Sequence, residues 1–172
     1  MSNDIPLSPT SYIVLGLLRA AGPSTPYALK QGVAASLGNF WSVPHSQLYA
    51  EPARLARAGY VEETREDGGR RRRTYAITDK GERALEAWLG DPVVPAPELR
   101  DPALLKVFFG SDAAAIAPAQ VERYRAKLAE YQTLREQLAA YPEAEGPVRT
   151  LDAGIAHAEV WIAYWSRLAQ LP

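Results

Sequence analysis

Apolar positions crowd together soon after the start of the chain. Tyr12, Ile13, Val14, Leu15, Leu17 and Leu18 leave almost no polar face, which predicts a helix covered on several sides. Ser8-Pro9 marks its beginning, a capping side chain followed by a proline whose missing N–H is harmless in a first turn, and the pattern fades near Ala21. Thr25-Pro26 repeats the signal for a second helix, which carries Tyr27, Leu29 and Val33 and ends at Gly38-Asn39. A third is predicted from Pro44 to Gly59, with Leu48, Leu55 and Ala56 inward and His45, Ser46, Gln47, Tyr49 and Arg54 largely outward. Gly59 reads as the left-handed residue after a helix, while Pro52 clashes with the Leu48 carbonyl and predicts a kink or break. Two β-prone runs follow, Tyr60 to Glu66 and Thr74 to Ile77, separated by the hairpin chemistry of Asp67-Gly68-Gly69. Thr78 then caps a fourth helix reaching about Leu89.

The pattern changes after that point. Residues 91–102 hold Pro92, Pro95, Pro97 and Pro102 and read as a short stiff connector between a module at 1–90 and another at 103–172. Ala103 to Gly110 predicts a short apolar helix, and Pro118 is expected to open a long one that reaches about Tyr141. Its apolar positions, from Val121 through Tyr124, Leu128, Tyr131, Leu134 and Leu138, recur at steps of three and four. After Pro142 to Pro147 a last helix is expected from Val148 to about Leu171. Its stripe of Leu151, Ile155, Ala158, Trp161, Ile162, Trp165 and Leu168 is wide enough to need two partners, and those residues are the candidate dimer interface. The fold class is therefore mainly α with a small β-hairpin.

Composition narrows the function. The 172 residues are 47% hydrophobic and 23% charged, with no apolar run long enough for a membrane span, so no membrane partner is expected. The absence of cysteine removes disulfides and thiolate metal sites, and with a start that lacks secretory character a cytoplasmic location follows. His45 and His157 have no ligand-spaced neighbours, and no nucleophile, base or glycine-rich phosphate loop is present. No enzyme, catalytic residue, metal or cofactor is expected. The net charge is only −1, yet Arg70, Arg71, Arg72 and Arg73 are consecutive beside Gly68-Gly69, which puts a basic tip on a nearly neutral protein.

Three compact helices and a hairpin with a basic tip form the arrangement of a winged helix-turn-helix, whose third helix enters the major groove while the wing follows the backbone. Arginine suits the wing because its planar fork donates to phosphate oxygens. The run Ser46-Gln47-Leu48-Tyr49, then Arg54-Leu55, Ala58-Gly59-Tyr60-Val61, the arginine-rich hairpin and Tyr75-Ala76-Ile77-Thr78-Asp79-Lys80-Gly81 resembles the signature of PadR-type transcriptional regulators. The resemblance covers residues 9 to 89. The remainder is similar in architecture to the virulence-activator-like α-helical domain of the family's longer members. Many relatives carry proline directly after the tyrosine, where this chain has Ala50-Glu51-Pro52.

The resemblance implies a sequence-specific DNA-binding regulator, a ligand-responsive repressor acting as a homodimer on a pseudo-palindromic operator. Its DNA contacts fall on Ser46, Gln47, Tyr49 and Arg70 to Arg73. Tyr27, Lys30, His45 and Arg54 are further DNA-binding candidates from their positions on the second and third helices. Gln47 has the chemistry to read an adenine edge bidentately. A small aromatic or drug-like effector is expected near Trp88, Phe108 and Phe109, between the two modules. The rival reading is a winged-helix protein-interaction scaffold without DNA binding, which the four arginines argue against.

Overall fold

The computed structural model describes residues 4–38, 40–65 and 72–170, which divide into two compact units, 1–95 and 96–172. The first contains α1 (Pro9–Ala21), α2 (Pro26–Ser36), α3 (His45–Arg57), β1 (Val61–Arg65), β2 (Arg73–Ile77) and α4 (Asp79–Gly90). Local chemistry sets these elements. Ser8 and Ser11 form a reciprocal capping box at the start of α1, and Thr25 and Thr78 cap α2 and α4 through their side-chain oxygens. At the end of α3, Gly59 takes φ +78°. Its N–H bonds to the Ala56 carbonyl and that of Tyr60 to the Leu55 carbonyl, both at 3.0 Å, which turns the chain from helix into β1.

The expected break at Pro52 does not occur, since α3 runs through it. The proline ring is fully buried, and that apolar burial offsets the lost intrahelical bond. β1 and β2 pair antiparallel, with Val61 opposite Ile77 and Arg65 opposite Arg73. A bridge absent from the sequence reading adds a third edge, in which Ser24 and Tyr75 exchange two backbone hydrogen bonds of 2.9 Å. The core draws on every element: Val14, Leu15 and Leu18 of α1, Leu29 of α2, Leu55 of α3, Val61, Tyr75 and Leu85. A smaller cluster of Val33, Val43 and Leu48 joins α2 to α3.

The Thr78-Asp79-Lys80-Gly81 motif turns out to be a packing device. Thr78 donates from its hydroxyl to the carbonyls of Gly59 and Tyr60 at 2.8 and 3.0 Å and accepts from the Gly81 N–H. A Cβ at Gly81 would lie 2.2 Å from the Tyr60 carbonyl oxygen, so α4 can seat against the turn between α3 and β1 only with glycine there. Lys80 donates to the Ala58 carbonyl at 2.8 Å and lies over the Tyr60 ring.

The second unit holds α5 (Pro102–Phe108), α6 (Ala113–Leu138), a 3₁₀ turn (Pro142–Ala144) and α7 (Glu145–Leu168). Pro118, expected to begin a helix, and Pro147, expected to precede one, both lie inside helices. Asp112 caps α6 through the Ala114 N–H, and Pro118 lies inside the helix at an exposed position. Pro147 occupies the first turn of α7, where an N–H is not needed. Among the described residues no helix is long and apolar enough to cross a membrane.

Candidate nucleic-acid interface

α3 divides cleanly between core and surface. Leu48, Pro52 and Leu55 are buried, whereas His45, Ser46, Gln47 and Tyr49, all in its first turn and a half, are exposed. The edge they form is polar, built of groups that donate and accept hydrogen bonds. On α2, Tyr27 is exposed and accepts a hydrogen bond from Gln31, and Lys30 is half-buried.

Arg54 requires a correction. Expected to face outward toward DNA, it instead ties α3 to α1, donating to both Glu51 carboxylate oxygens at 2.7 and 2.9 Å, to the Ser11 hydroxyl at 3.1 Å and to the Pro6 carbonyl at 3.2 Å. The guanidinium goes there because Glu51 is partly buried and needs a counter-charge. Burial pushes the Glu51 carboxyl up, but hydrogen bonds from Arg54 and Ser11 and the charge of Arg54 outweigh it and hold the group below its ordinary range. Thr10, also on α1, donates from its hydroxyl to Gln47 Oε1 at 3.0 Å. The sequence reading missed Thr10, Ser11 and Glu51; the bonds that join α1 to α3 through them span some 40 residues, although Glu51 and Arg54 themselves are only three apart.

Arg70 and Arg71, with Gly68-Gly69, lie outside the described residues. Arg72 is exposed. Arg73 stands opposite Arg65 across the hairpin, an unfavourable pair that Glu63 relieves by lying 2.6 Å from Arg65 and 3.8 Å from Arg73. The Arg65 hydrogen bond chiefly holds the Glu63 carboxyl low, helped by one from the Tyr75 hydroxyl and opposed by burial. Part of the wing's positive charge is thus neutralised within the hairpin.

In the second unit, the expected dimer stripe is partly consumed internally. Ala158 and Trp165 are 1% and 0% exposed, packed within the subunit, and Trp165 shares a cluster with Ala103, Ala117 and Val121. Trp161 stacks on Tyr124 with centroids 6.0 Å apart. Leu151, Ile155, Ile162 and Leu168 are half-buried. Of the effector candidates, Trp88 has its ring stacked on Tyr12 at 4.6 Å, and Phe108 and Phe109 are exposed and touch edge to face. An open, mostly apolar groove of about 490 Å³ lies elsewhere in this unit, lined by Leu104, Val160, Trp161, Ala163, Tyr164 and Arg167. Among the described residues no cluster of side chains suits a metal ion.

Comparison with known proteins accords with this architecture. Residues 14–87 match the transcriptional regulator PadR-like family, and residues 99–171 match the virulence activator alpha C-terminal domain. The negative transcriptional regulator PadR of Bacillus subtilis (strain 168) is 33% identical over 140 residues, spanning 77% of this chain and 76% of that protein. The crystal structure of Bacillus subtilis PadR in complex with operator DNA superposes with a TM-score of 0.82 at 27% identity, covering 97% of this chain and 100% of that one. The same protein in complex with p-coumaric acid gives 0.75 at 27% identity, over 95% and 97% of the two chains. A winged helix-turn-helix unit, a helical C-terminal unit and these matches together place the chain in the PadR-like family of transcriptional regulators, DNA-binding proteins rather than enzymes.

Proposed function

We propose that this regulator is a ligand-responsive repressor that binds a pseudo-palindromic operator as a homodimer in the cytoplasm, with residues 1–90 reading DNA, 91–102 connecting and 103–172 dimerising. The observation that carries the reading is the first turn and a half of α3, where His45, Ser46, Gln47 and Tyr49 stand exposed above a packed core. N-terminal residues of a recognition helix are those that reach base edges. Tyr27 and Lys30 approach the phosphates from α2, and Arg70 to Arg73 grip them from the wing. The operator complex of the Bacillus subtilis relative supports this docking.

The dimer surface falls on what the subunit leaves uncovered on α5 and α7, where Leu105, Phe108 and Val160 are 59%, 81% and 66% exposed. The effector is a small aromatic acid, in keeping with the relative's p-coumaric acid complex. The groove of the second unit offers it Trp161 and Tyr164 as walls and Arg167 as a counter-charge.

The test is fluorescence anisotropy on duplexes enriched from a randomised library, titrated with salt. Affinity falls steeply as salt releases phosphate counterions, and p-coumaric acid weakens it further. Enrichment of no sequence, together with a flat salt response, overturns the DNA-reading proposal in favour of a protein-interaction scaffold. Sedimentation as a monomer at micromolar concentration removes the dimer.

A further inference from the structure

Gln47 is the third residue of α3 and is exposed, yet its amide is engaged by another helix. Its Oε1 accepts a hydrogen bond from the hydroxyl of Thr10 at 3.0 Å. Thr10 lies in the first turn of α1, is only 9% exposed, and has its backbone fixed by the Ser8–Ser11 capping box. The hydroxyl is therefore held in place by a different helix, 37 residues away in sequence, and donates to Oε1 rather than accepting from Nε2. A glutamine that reads adenine needs both ends of its amide, Oε1 accepting from N6 and Nε2 donating to N7. With Oε1 held toward α1, the end left for the groove is Nε2, which carries two donors and no acceptor.

We propose that Thr10 is a positioning residue for base selection, and that by engaging Oε1 it makes Gln47 a donor-only reader that prefers guanine to adenine. Guanine presents O6 and N7, two adjacent acceptors that match two N–H groups. Adenine presents N7 beside the N6 amino group, so an amide held this way faces it donor to donor. The inference rests on α3 being the base-reading helix, and it alters the adenine pairing that the residue type alone suggests.

The experiment uses the full-length chain. Wild type, Thr10→Val, Thr10→Ser and Gln47→Ala each select duplexes from a randomised library, and affinities are then measured on duplexes that differ at single base pairs. In wild type, one position favours G·C over A·T on the order of tenfold, and Gln47→Ala flattens that position alone. Thr10→Val, which removes the hydroxyl at nearly constant shape, turns the same position toward A·T while leaving the others unchanged. Thr10→Ser keeps the hydroxyl and keeps guanine. If Thr10→Val does not fold, as judged by circular dichroism, Thr10→Ala carries the same comparison.

A guanine preference that survives loss of the hydroxyl overturns the role of Thr10 while leaving α3 as the reader. An adenine preference at the Gln47-dependent position in wild type does the same. A Gln47→Ala profile identical to wild type at every position, or no enrichment by any variant, sinks the reading of α3 and this inference with it.

Discussion

The two units bury side chains in different ways. In the N-terminal unit, helices of 11 to 13 residues each send at least one side chain to 2% exposure or less, as Leu15, Leu29, Leu55 and Leu85 do. In the C-terminal unit, α6 and α7 are 26 and 24 residues long, yet their fully covered positions reduce to Ala117, Ala158 and Trp165, with most other apolar residues half-covered. Two helices lying along one another shield one face each, however long they are. The difference separates two meanings of an exposed residue. Above a closed core, an outward polar group is available for chemistry; beside a one-sided seam, an outward apolar group marks surface suited to another protein.

The sharpest way to break this contrast is Gly81→Val. The new side chain collides with the Tyr60 backbone, which cannot move without opening the sheet, and the N-terminal unit is expected to lose more than about 3 kcal/mol. Thermal unfolding followed by circular dichroism should show two separated transitions. A variant that still melts in one step at the wild-type temperature would show that α4 has room to withdraw.

In the other unit, Trp165→Ala is expected to cost about 3 kcal/mol, because a fully buried indole leaves a cavity between α6 and α7. Trp165→Phe should cost about 1 kcal/mol, since it also removes an Nε1–H that has no hydrogen-bond partner among the described residues. Equal losses for the two variants, measured by urea unfolding, would mean that the seam does not depend on ring volume.

Glu51→Gln sharpens the comparison by weakening the tie between α1 and α3, at a cost of about 2 kcal/mol near neutral pH. The sign of its pH dependence follows from a folded value below the ordinary 4.5. The carboxylate's contribution is complete above 4.5 and is lost as pH falls through the lower folded value, so the gap between wild type and variant should close in acid. A gap that is constant down to pH 3 contradicts the ion pair. The smallest stability change belongs to Arg72→Ala, within about 0.5 kcal/mol for an exposed side chain. Its DNA affinity should nonetheless fall about equally on all sequences, with a shallower salt slope.

What the sequence disclosed was local. Ser8, Thr25 and Thr78 announced the helix starts, and Gly59 the end of α3, because a cap is chemistry between residues a few positions apart. Links across tens of residues left no such trace, among them the Ser24–Tyr75 bridge, the Thr10–Gln47 bond and the bonds of Arg54 to Ser11 and Pro6. Proline misled twice, since Pro52, buried, and Pro118, exposed, both lie inside continuous helices. The periodicity of α7 disclosed a buried face without naming what covers it, and so Ala158 and Trp165 were assigned to a second subunit when the first already encloses them.

The Ser24–Tyr75 bridge also sets a timetable for synthesis. α1, α2 and α3 leave the ribosome well before the strand that bridges back to Ser24 and before Leu85, which shares the same core. At ~5–20 residues per second, that interval lasts roughly one to six seconds. During it, a nascent chain already carries the whole of α3 with its core incomplete. On the proposed function, competence to read DNA therefore arrives with the translation of the wing and α4, and not with that of α3.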